Sequence, residues 1–468
     1  MADISDIRSG RPVNFGQQIR LTAMLSWPAM MAQLSSIMMQ YIDAAMVGRL
    51  GADPSAAVGL VSTSLWLFWG VCSMLTMGFS VQVAHSIGAS DFERARSILR
   101  QSIISCLIFG LLMAGIGIAI AGPLPHWLGG DEAVCGQATL YFTVFVSALP
   151  LLTFNYLGGA MLRSAGNMKV PGGLNVMMCV LDVVFNFFLI FPTRTVSLWG
   201  MEMTMPGAGL GVLGAALGTV SAEAITAGCM MWYLLRVQPD LRLKGTEGSF
   251  RPTRDVLRKA MRVSAPMTLE HAVICGAQIA VTIIVAPLGV YAIAANAFAV
   301  TAESLCYMPG YGIADAATTL VGQSYGASRK DLARRFGYIT VALGMLTMTV
   351  MGVVLYIFSP SLMALMTPVG EIADLGTEAL RIEAFAEPMF AASIVAYGVM
   401  VGVGDTILPA CMNFGSIWLV RLPIAAILAP GMGLNGVWLA MAIELTFRGA
   451  IFLWRLFSGA WLRHGLKS

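Results

Sequence analysis

Charged residues are scarce in this chain, and their scarcity indicates the class of protein. Asp, Glu, Lys and Arg make up 11% of the 468 residues and hydrophobic residues make up 57%, whereas a soluble domain is about a quarter charged. We therefore expect an integral membrane protein that lies in the lipid bilayer of the cell inner (plasma) membrane. The net charge is only +3 and the basic residues do not gather into one face, so no nucleic-acid partner is expected.

The chain also lacks the motifs of several chemistries. Its eight cysteines are scattered without a CxxC pair, so we interpret them as small buried residues. We expect them to form no disulfides and to bind no metal. There is no Gly-Lys dipeptide and no HExxH, which excludes an ATP-binding P-loop and a zincin-type site. We expect no enzyme and no cofactor, and a gradient of H⁺ or Na⁺ would supply the energy. The polar first ten residues are not typical of a cleavable signal peptide, so the first span would itself target the chain.

What the chain does contain is a long internal repeat. The pentapeptide SIGAS at 86–90 returns as SYGAS at 324–328, 238 positions later. Two copies of one long hydrophobic unit are the usual architecture of a transporter that opens to alternate sides of the membrane. The same offset, without a gap, relates Pro28 to Pro266, Pro150 to Pro388, Gly166 to Gly404, Pro171 to Pro409 and Asn175 to Asn413.

Twelve apolar segments are long enough to cross a bilayer, which takes about 20 residues in a helix. They lack the period-two alternation of barrel strands. The predicted fold is therefore all-α, with 12 transmembrane helices in two parallel six-helix repeats, an N-lobe and a C-lobe, around a central cleft. The segments lie near 20–46, 56–82, 98–122, 137–161, 171–192, 209–235, 261–287, 293–319, 337–359, 378–401, 408–429 and 434–456.

The distribution of lysine and arginine predicts the orientation. With the N-terminus in the cytoplasm, most of the 28 basic residues fall in cytoplasmic segments. The opposite loops then hold only Arg49, Arg194 and Arg381. Both termini are therefore predicted to be cytoplasmic.

The same pattern divides the chain into three parts. We predict an N-terminal six-helix lobe at 1–235, a cytoplasmic linker at 236–260 and a C-terminal six-helix lobe at 261–468. The first lobe has an extra loop at about 192–208, for which no function is predicted.

Acidic residues inside the predicted spans are the main candidates for function, because a charge in hydrocarbon is costly and usually faces a pathway. Gln40 and Asp43 share one face of the first helix, and Asp182 and Asn186 share a polar face of the fifth. If both faces point into the first lobe, the two carboxylates converge and can exchange a proton. The alternative is that each carboxylate is a structural hydrogen-bonding group between helices.

The second lobe carries its own set. Glu270 lies beside a polar face with His271 and Gln278, and Glu303 lies on a polar face of the eighth helix. Arg421 is expected to pair with an acid or cap a helix end. Glu444 and Arg448 have the i, i+4 spacing of an intrahelical ion pair.

The chain also has 32 Met residues, and Trp66 and Trp69 lie on one face of the second helix. Methionine adapts its shape to varied ligands, and aromatic faces attract cations. Together with buried carboxylates, these residues favour a lipophilic organic cation as substrate. Ordinary packing of helices in the membrane is the alternative explanation for both residue types.

Several segments together resemble the multidrug and toxic compound extrusion (MATE) family of transporters over nearly the whole chain. A carboxylate followed by V-G-x-L-G is similar to that family's first-span motif, and the two repeat copies resemble its paired loop motifs. The segments are YIDAAMVGRLG at 41–51, VAHSIGAS at 83–90, VLDVVFNFFLIF at 180–191, APMTLEH at 265–271, VGQSYGAS at 321–328, VGVGDTILP at 401–409 and RLPIA at 421–425.

The resemblance implies efflux of cationic drugs in exchange for H⁺ or Na⁺ by a protein that we expect to be a monomer. Asp43 and Asp182 would form the proton site, and Asn155 and Thr219 would be polar members of the same cavity. Glu270 and Asp405 leave Na⁺ coupling through the C-lobe open, with Na⁺ at Glu270.

One departure from the family pattern concerns the detail of the proton site. Met178 stands where proton-coupled relatives have Asn four residues before the fifth-span acid. A flippase for lipid-linked oligosaccharides, from the same superfamily, is the alternative function. Its pyrophosphate substrate would need a cationic cavity, whereas the buried charge here is mainly acidic.

Overall fold

The structure, a computed structural model, describes residues 4–198 and 201–466 and is helical almost throughout. The first half of the chain consists of long rods that are joined by short connections, with one strand pair. Its elements are α1 Ser5–Arg8, α2 Phe15–Gly48, α3 Ala52–Gly88, α4 Phe92–Ala121, α5 Leu124–Trp127, α6 Glu132–Ser147, α7 Leu149–Ser164, α8 Lys169–Ile190, β1 Pro192–Leu198, β2 Met201–Ala208 and α9 Val212–Arg236.

The second half repeats this series of rods without the strands. Its elements are α10 Arg254–Val285, a 3-10 turn at Ala286–Leu288, α11 Val290–Gly326, α12 Lys330–Met366, α13 Gly370–Ala384, α14 Glu387–Val403, α15 Ile407–Gly415, a π-helical turn at Ser416–Arg421, α16 Leu422–Met432, α17 Leu434–Ser458 and a 3-10 turn at Ala460–Arg463.

Every predicted span coincides with helix. Within the described residues, nine helices are long and apolar enough to cross a membrane, and two bent pairs raise the number to 11. The pairs are α6 with α7 and α13 with α14, which bend by 47° and 61°. The prediction of a multi-pass helical membrane protein is confirmed.

The helix α2 is the one predicted span outside that set, although it is 34 residues long. Polar side chains such as Gln33, Gln40 and Asp43 lower its hydropathy. The full count of twelve spans and the boundaries at 1–235, 236–260 and 261–468 therefore stay predictions.

The extra loop of the first half contains the strand pair. β1 pairs antiparallel with β2, and the two residues between them lie outside the described part. The guanidinium of Arg194 lies 4.4 Å and 4.3 Å from the ring centres of Phe187 and Phe191, which holds the hairpin against the end of α8. The sequence predicted only a loop here, so the hairpin corrects the all-α description.

The two halves pack against each other at one end through equivalent contacts. A Cβ at Gly88 would lie 2.0 Å from the carbonyl oxygen of Gln323, and a Cβ at Gly326 would lie 2.1 Å from that of His85. Gly326 lies 238 positions after Gly88, and Gln323 lies 238 positions after His85. The two contacts are therefore equivalent in the repeat and related by a pseudo-two-fold axis. Only glycine permits this approach of backbone to backbone.

A continuous apolar core supports the same junction. Leu21 and Leu25 of α2 are buried in one cluster with Ile313 and Leu320 of α11. Since these helices belong to different halves, the core stabilises the end of the molecule at which the halves meet.

Candidate functional site

Two carboxylates of the first half meet around a single asparagine. The Asn186 side-chain nitrogen donates to Asp43 Oδ1 at 2.8 Å and to Asp182 Oδ2 at 3.2 Å. Asp182 and Asn186 are fully buried, whereas Asp43 on α2 is half-buried. The structure thus brings together the two polar faces that the sequence analysis placed on separate helices.

This pair of acids has unused acceptor capacity. Asp182 Oδ1 and Asn186 Oδ1 are buried without a hydrogen-bond partner among the described residues. The carboxyl groups of Asp43 and Asp182 also lie within hydrogen-bonding reach of each other. Ionised carboxylates only accept hydrogen bonds, so this approach requires a proton or a small cation between them.

A third acid lies in the same half. Asn155 of α7 donates to Glu223 Oε2 at 2.6 Å, and its nitrogen lies 3.8 Å from the sulfur of Met178. Thr219 is buried near the carboxyl group of Asp182, and its hydroxyl donates to the backbone oxygen of Ala215 at 3.1 Å. Asn155 and Thr219 therefore belong to the polar interior of this half, and Glu223, which the sequence analysis did not single out for function, joins them.

The second half holds Glu270 by two neutral donors. Tyr397 Oη donates to Glu270 Oε2 at 2.5 Å, and the Asn413 side-chain nitrogen donates to Oε1 at 2.5 Å. The sequence analysis missed both partners. The repeat contains a signal for one of them, because Asn413 is the copy of Asn175.

Next to this site, one acid is fully neutralised. Glu444 is fully buried and accepts from Arg421 at 2.6 Å and from Arg448 at 2.7 Å, and Ser416 donates to it as well. The expected acid partner of Arg421 and the i, i+4 pair of Arg448 are thus confirmed and share one carboxylate. Arg421 and Ser416 lie in the π-helical turn, and such turns are frequent at functional sites.

A cluster of three acids lies deeper in the second half. Glu303 is 6% exposed, and Glu383 and Glu387 are fully buried. Glu383 neighbours Glu303, and Glu387 lies near Cys306, yet no carboxylate oxygen of Glu383 or Glu387 has a hydrogen-bond partner among the described residues. The sequence analysis proposed Glu303 but missed the other two, although both fall in the tenth predicted span.

The remaining candidates are not gathered at these sites. His271 lies 3.2 Å from the carbonyl oxygen of Trp66, with ring centres 4.6 Å apart. Asp405 is paired with Arg455, and no hydrogen bond among the described residues joins it to Glu270. Gln40 and Gln278 are exposed.

Within the described residues, the acidic sites do not form a metal centre of several side chains. No group of three or more His, Cys, Asp and Glu side chains there is arranged to hold a metal ion. Oxygen atoms that could bind Na⁺ are nevertheless present around Glu270, where the hydroxyl of Tyr397 and the side-chain amide of Asn413 are in contact with the carboxylate.

Comparisons with known proteins agree with this geometry. Two stretches of the chain, 28–188 and 266–427, match the MatE family model. They begin 238 positions apart, so each repeat is matched once. The probable multidrug resistance protein NorM of Thermotoga maritima is 25% identical over 445 residues, which cover 93% of this chain and 92% of NorM.

Solved structures share the fold. A MOP superfamily transporter from Pyrococcus furiosus has a TM-score of 0.87 at 21% identity, over 99% of both chains. A variant of the MATE transporter VcmN from Vibrio cholerae has a TM-score of 0.86 at 20% identity, over 95% of this chain and 97% of that one.

Proposed function

Because the chain belongs to the MATE family of membrane transporters, we propose that it is a multidrug efflux antiporter. It exports lipophilic organic cations in exchange for H⁺ or Na⁺. The name of the Thermotoga maritima relative supports the drug-efflux part of this proposal. The acidic sites inside the helical bundle support the cationic substrate and the ion exchange.

The observation that carries the proposal is the contact of Asp43, Asp182 and Asn186. One negative charge shared by two carboxylates attracts either a proton or an organic cation, and occupation by one removes the attraction for the other. Asp43 is the half-buried member, so it is the carboxylate that a substrate in the cleft can reach. Competition for this charge couples the two fluxes without a motor domain.

Hydrogen bonds between the two halves close one end of the molecule. Ser164 and Gln323 are joined at 2.6 Å, Gly78 and Ser264 at 3.1 Å, and His85 bonds the carbonyl oxygen of Gly402 at 2.7 Å. All of these residues lie toward the end that holds the Lys- and Arg-rich segments. This conformation is therefore closed on the side that we propose to be cytoplasmic.

The interaction of Arg163 with Asp315 spans the same junction at 3.9 Å. Asp315 also accepts from Gln33 of α2 at 3.4 Å. We propose that these bonds break when the transporter turns to face the cytoplasm. Plasma-membrane localisation, cytoplasmic termini and a monomeric state are part of the same proposal.

We propose separate ion sites in the two halves. Asp43 and Asp182 are the proposed proton site, since a proton satisfies two carboxylates in contact. Glu270 is the proposed Na⁺ site, since carboxylate, hydroxyl and amide oxygens are suitable ligands for a hard cation. Glu303 is proposed to line the cavity of the second half.

The alternative, a flippase for lipid-linked oligosaccharides, requires free cationic groups that can bind a pyrophosphate. Arg421 and Arg448 are the basic residues near the second-half site, and both bind Glu444. Two arginines on one acid leave one positive charge, but Glu270, Glu303 and Glu383 are also buried in this half. Acids therefore outnumber the bases there, which favours a cationic substrate over a pyrophosphate.

The test is ethidium efflux from proteoliposomes in which a pH gradient and a Na⁺ gradient are imposed separately. We expect Asp43→Asn to abolish H⁺-driven efflux, because the amide cannot exchange a proton. Asp53→Asn is the matched control, since Asp53 is an exposed aspartate at the start of α3.

Glu270→Gln is expected to reduce Na⁺-driven efflux selectively. Efflux by wild-type protein without either gradient would refute antiport. Normal H⁺-driven efflux by Asp43→Asn would remove that carboxylate from the mechanism, and unchanged Na⁺-driven efflux by Glu270→Gln would refute the Na⁺ site.

A further inference from the structure

A cavity of about 230 Å³ lies at the end of the second half, away from the acidic sites. Its polar lining comes from four separate parts of the chain. Arg262 belongs to α10, Asp405 and Thr406 precede α15, and Arg455 belongs to the end of α17. His464, close to the C-terminus, completes the lining.

The charges around the cavity favour an anion. Arg455 donates to Asp405 and neutralises it, and both side chains are buried, at 4% and 6% exposure. Arg262 then remains as an uncompensated positive charge on the exposed side. Among the described residues, the lining contains one carboxylate, and Arg455 already binds it.

Two sets of hydrogen-bond donors are unused there. Arg455 Nε is buried without an acceptor among the described residues. The helix α15 begins at Ile407 without a side-chain cap, and its first residues, Ile407 and Leu408, line the cavity. A helix N-terminus together with guanidinium groups is a favourable environment for a phosphate group.

From these features we infer that the cavity is a binding site for a phosphate group. The guanidinium of Arg262, the first turn of α15 and the ring of His464 would donate to its oxygens. The rim of the cavity is apolar, since Ile407 and Leu408 are 55% and 45% exposed. The phosphate can therefore belong to the head group of an anionic lipid, whose acyl chains would cover the rim, or to free inorganic phosphate.

The experiment uses the full-length protein purified in detergent. Occupancy by dioleoyl phosphatidylglycerol is measured by native mass spectrometry, with dioleoyl phosphatidylcholine as the zwitterionic comparison. Inorganic phosphate is titrated separately by calorimetry. Arg262→Gln removes the free charge and leaves the buried pair of Arg455 and Asp405 intact.

Arg258→Gln is the matched control, because Arg258 is an exposed arginine of the same helix that does not line the cavity. We expect Arg262→Gln to weaken binding about fivefold, the upper range for one exposed charge contact, and Arg258→Gln to leave it unchanged. Loss of phosphatidylglycerol binding alone would identify a lipid site, and loss of inorganic phosphate binding alone would identify a soluble ligand.

The inference is wrong if neither probe binds the wild-type protein more tightly than phosphatidylcholine does. It is also wrong if the Arg262 and Arg258 variants bind both probes alike. These readouts do not involve transport, so they stand or fall independently of the proposed efflux.

Discussion

Replacing Gly88 and Gly326 with alanine should drive the transporter out of the conformation described here. Each glycine approaches a backbone carbonyl of the other half, and a Cβ would lie 2.0 Å from Gln323 O and 2.1 Å from His85 O. Ordinary contacts begin at 3.4 Å, so each added Cβ would lie about 1.4 Å too close to the carbonyl oxygen that it faces. A backbone carbonyl cannot rotate away as a side chain can, and the halves must therefore separate at this end.

The magnitude follows from the cost of overpacking. One added methyl group in a tight contact costs about 1–3 kcal/mol, so the double variant should destabilise the closed junction by about 2–6 kcal/mol. The helix propensity gained from alanine acts in both conformations and cancels. Since each 1.4 kcal/mol is a factor of ten, a cost of about 3 kcal/mol changes the population ratio about 150-fold.

The assay is a distance measurement between nitroxide labels at the opposite end. Glu132 and Glu371 are exposed, one in each half, and can be labelled as Glu132→Cys and Glu371→Cys in a cysteine-free background. In the double variant, the distribution of distances should shift to shorter values, because the outer ends close as the inner ends open. Gly115→Ala is the control, since a Cβ there meets nothing within 4 Å. A distribution identical to that of Gly115→Ala would refute the reasoning.

Three further predictions concern the buried polar groups. Asn186→Leu should reduce H⁺-driven efflux at least about tenfold in proteoliposomes, because each hydrogen bond from the Asn186 side chain to a carboxylate is worth about 1.5–3 kcal/mol. Val184→Leu on the exposed face of α8 is the control, and equal efflux rates in the two variants would contradict this role of Asn186. Glu444→Gln should destabilise the protein by about 3–5 kcal/mol in thermal unfolding, because it leaves buried arginines without their acid, whereas Glu378→Gln on the surface should change little. Glu383→Gln should raise the free energy of unfolding by about 1 kcal/mol, and with it the Tm, because the new side-chain amide can donate to the carboxylate of Glu303. A lowered Tm would show that the acid is structurally required.

Much of the helical arrangement could be predicted because membrane helices have a strong sequence signal. All twelve apolar segments are helical, since unsatisfied backbone groups are too costly in lipid. The convergence of Asp43 and Asp182 was also foreseeable, because residues three and four apart share a helix face. The hairpin at β1 and β2 was not predicted, although Met201, Met203 and Met205 alternate with polar residues, because each strand is short and the segment was interpreted as a loop between two spans.

The partners of the acids were harder to foresee for a different reason. Tyr397 and Asn413 reach Glu270 only because α14 and α15 present these faces to α10, and helix rotation within a bundle is set by packing, which one sequence does not display. Glu383 and Glu387 were missed because a span end rich in acids looks like a solvated surface. Their complete burial depends on the bend between α13 and α14.

The repeat keeps packing residues in both copies but not the acids, and this asymmetry is consistent with the proposal of two different ion sites. The close-contact pair of Gly88 and Gly326 is kept in both copies, as are the paired prolines. The acids are not kept, because the positions equivalent to Asp43 and Asp182 are Val281 and Val420. Symmetric contacts between the halves allow equivalent motions at the junction, whereas unlike acids would give each half the separate ion preference that we propose. Neutralising the acids of one half should therefore abolish one driving ion and leave the other, and loss of both would show that the two halves form a single site.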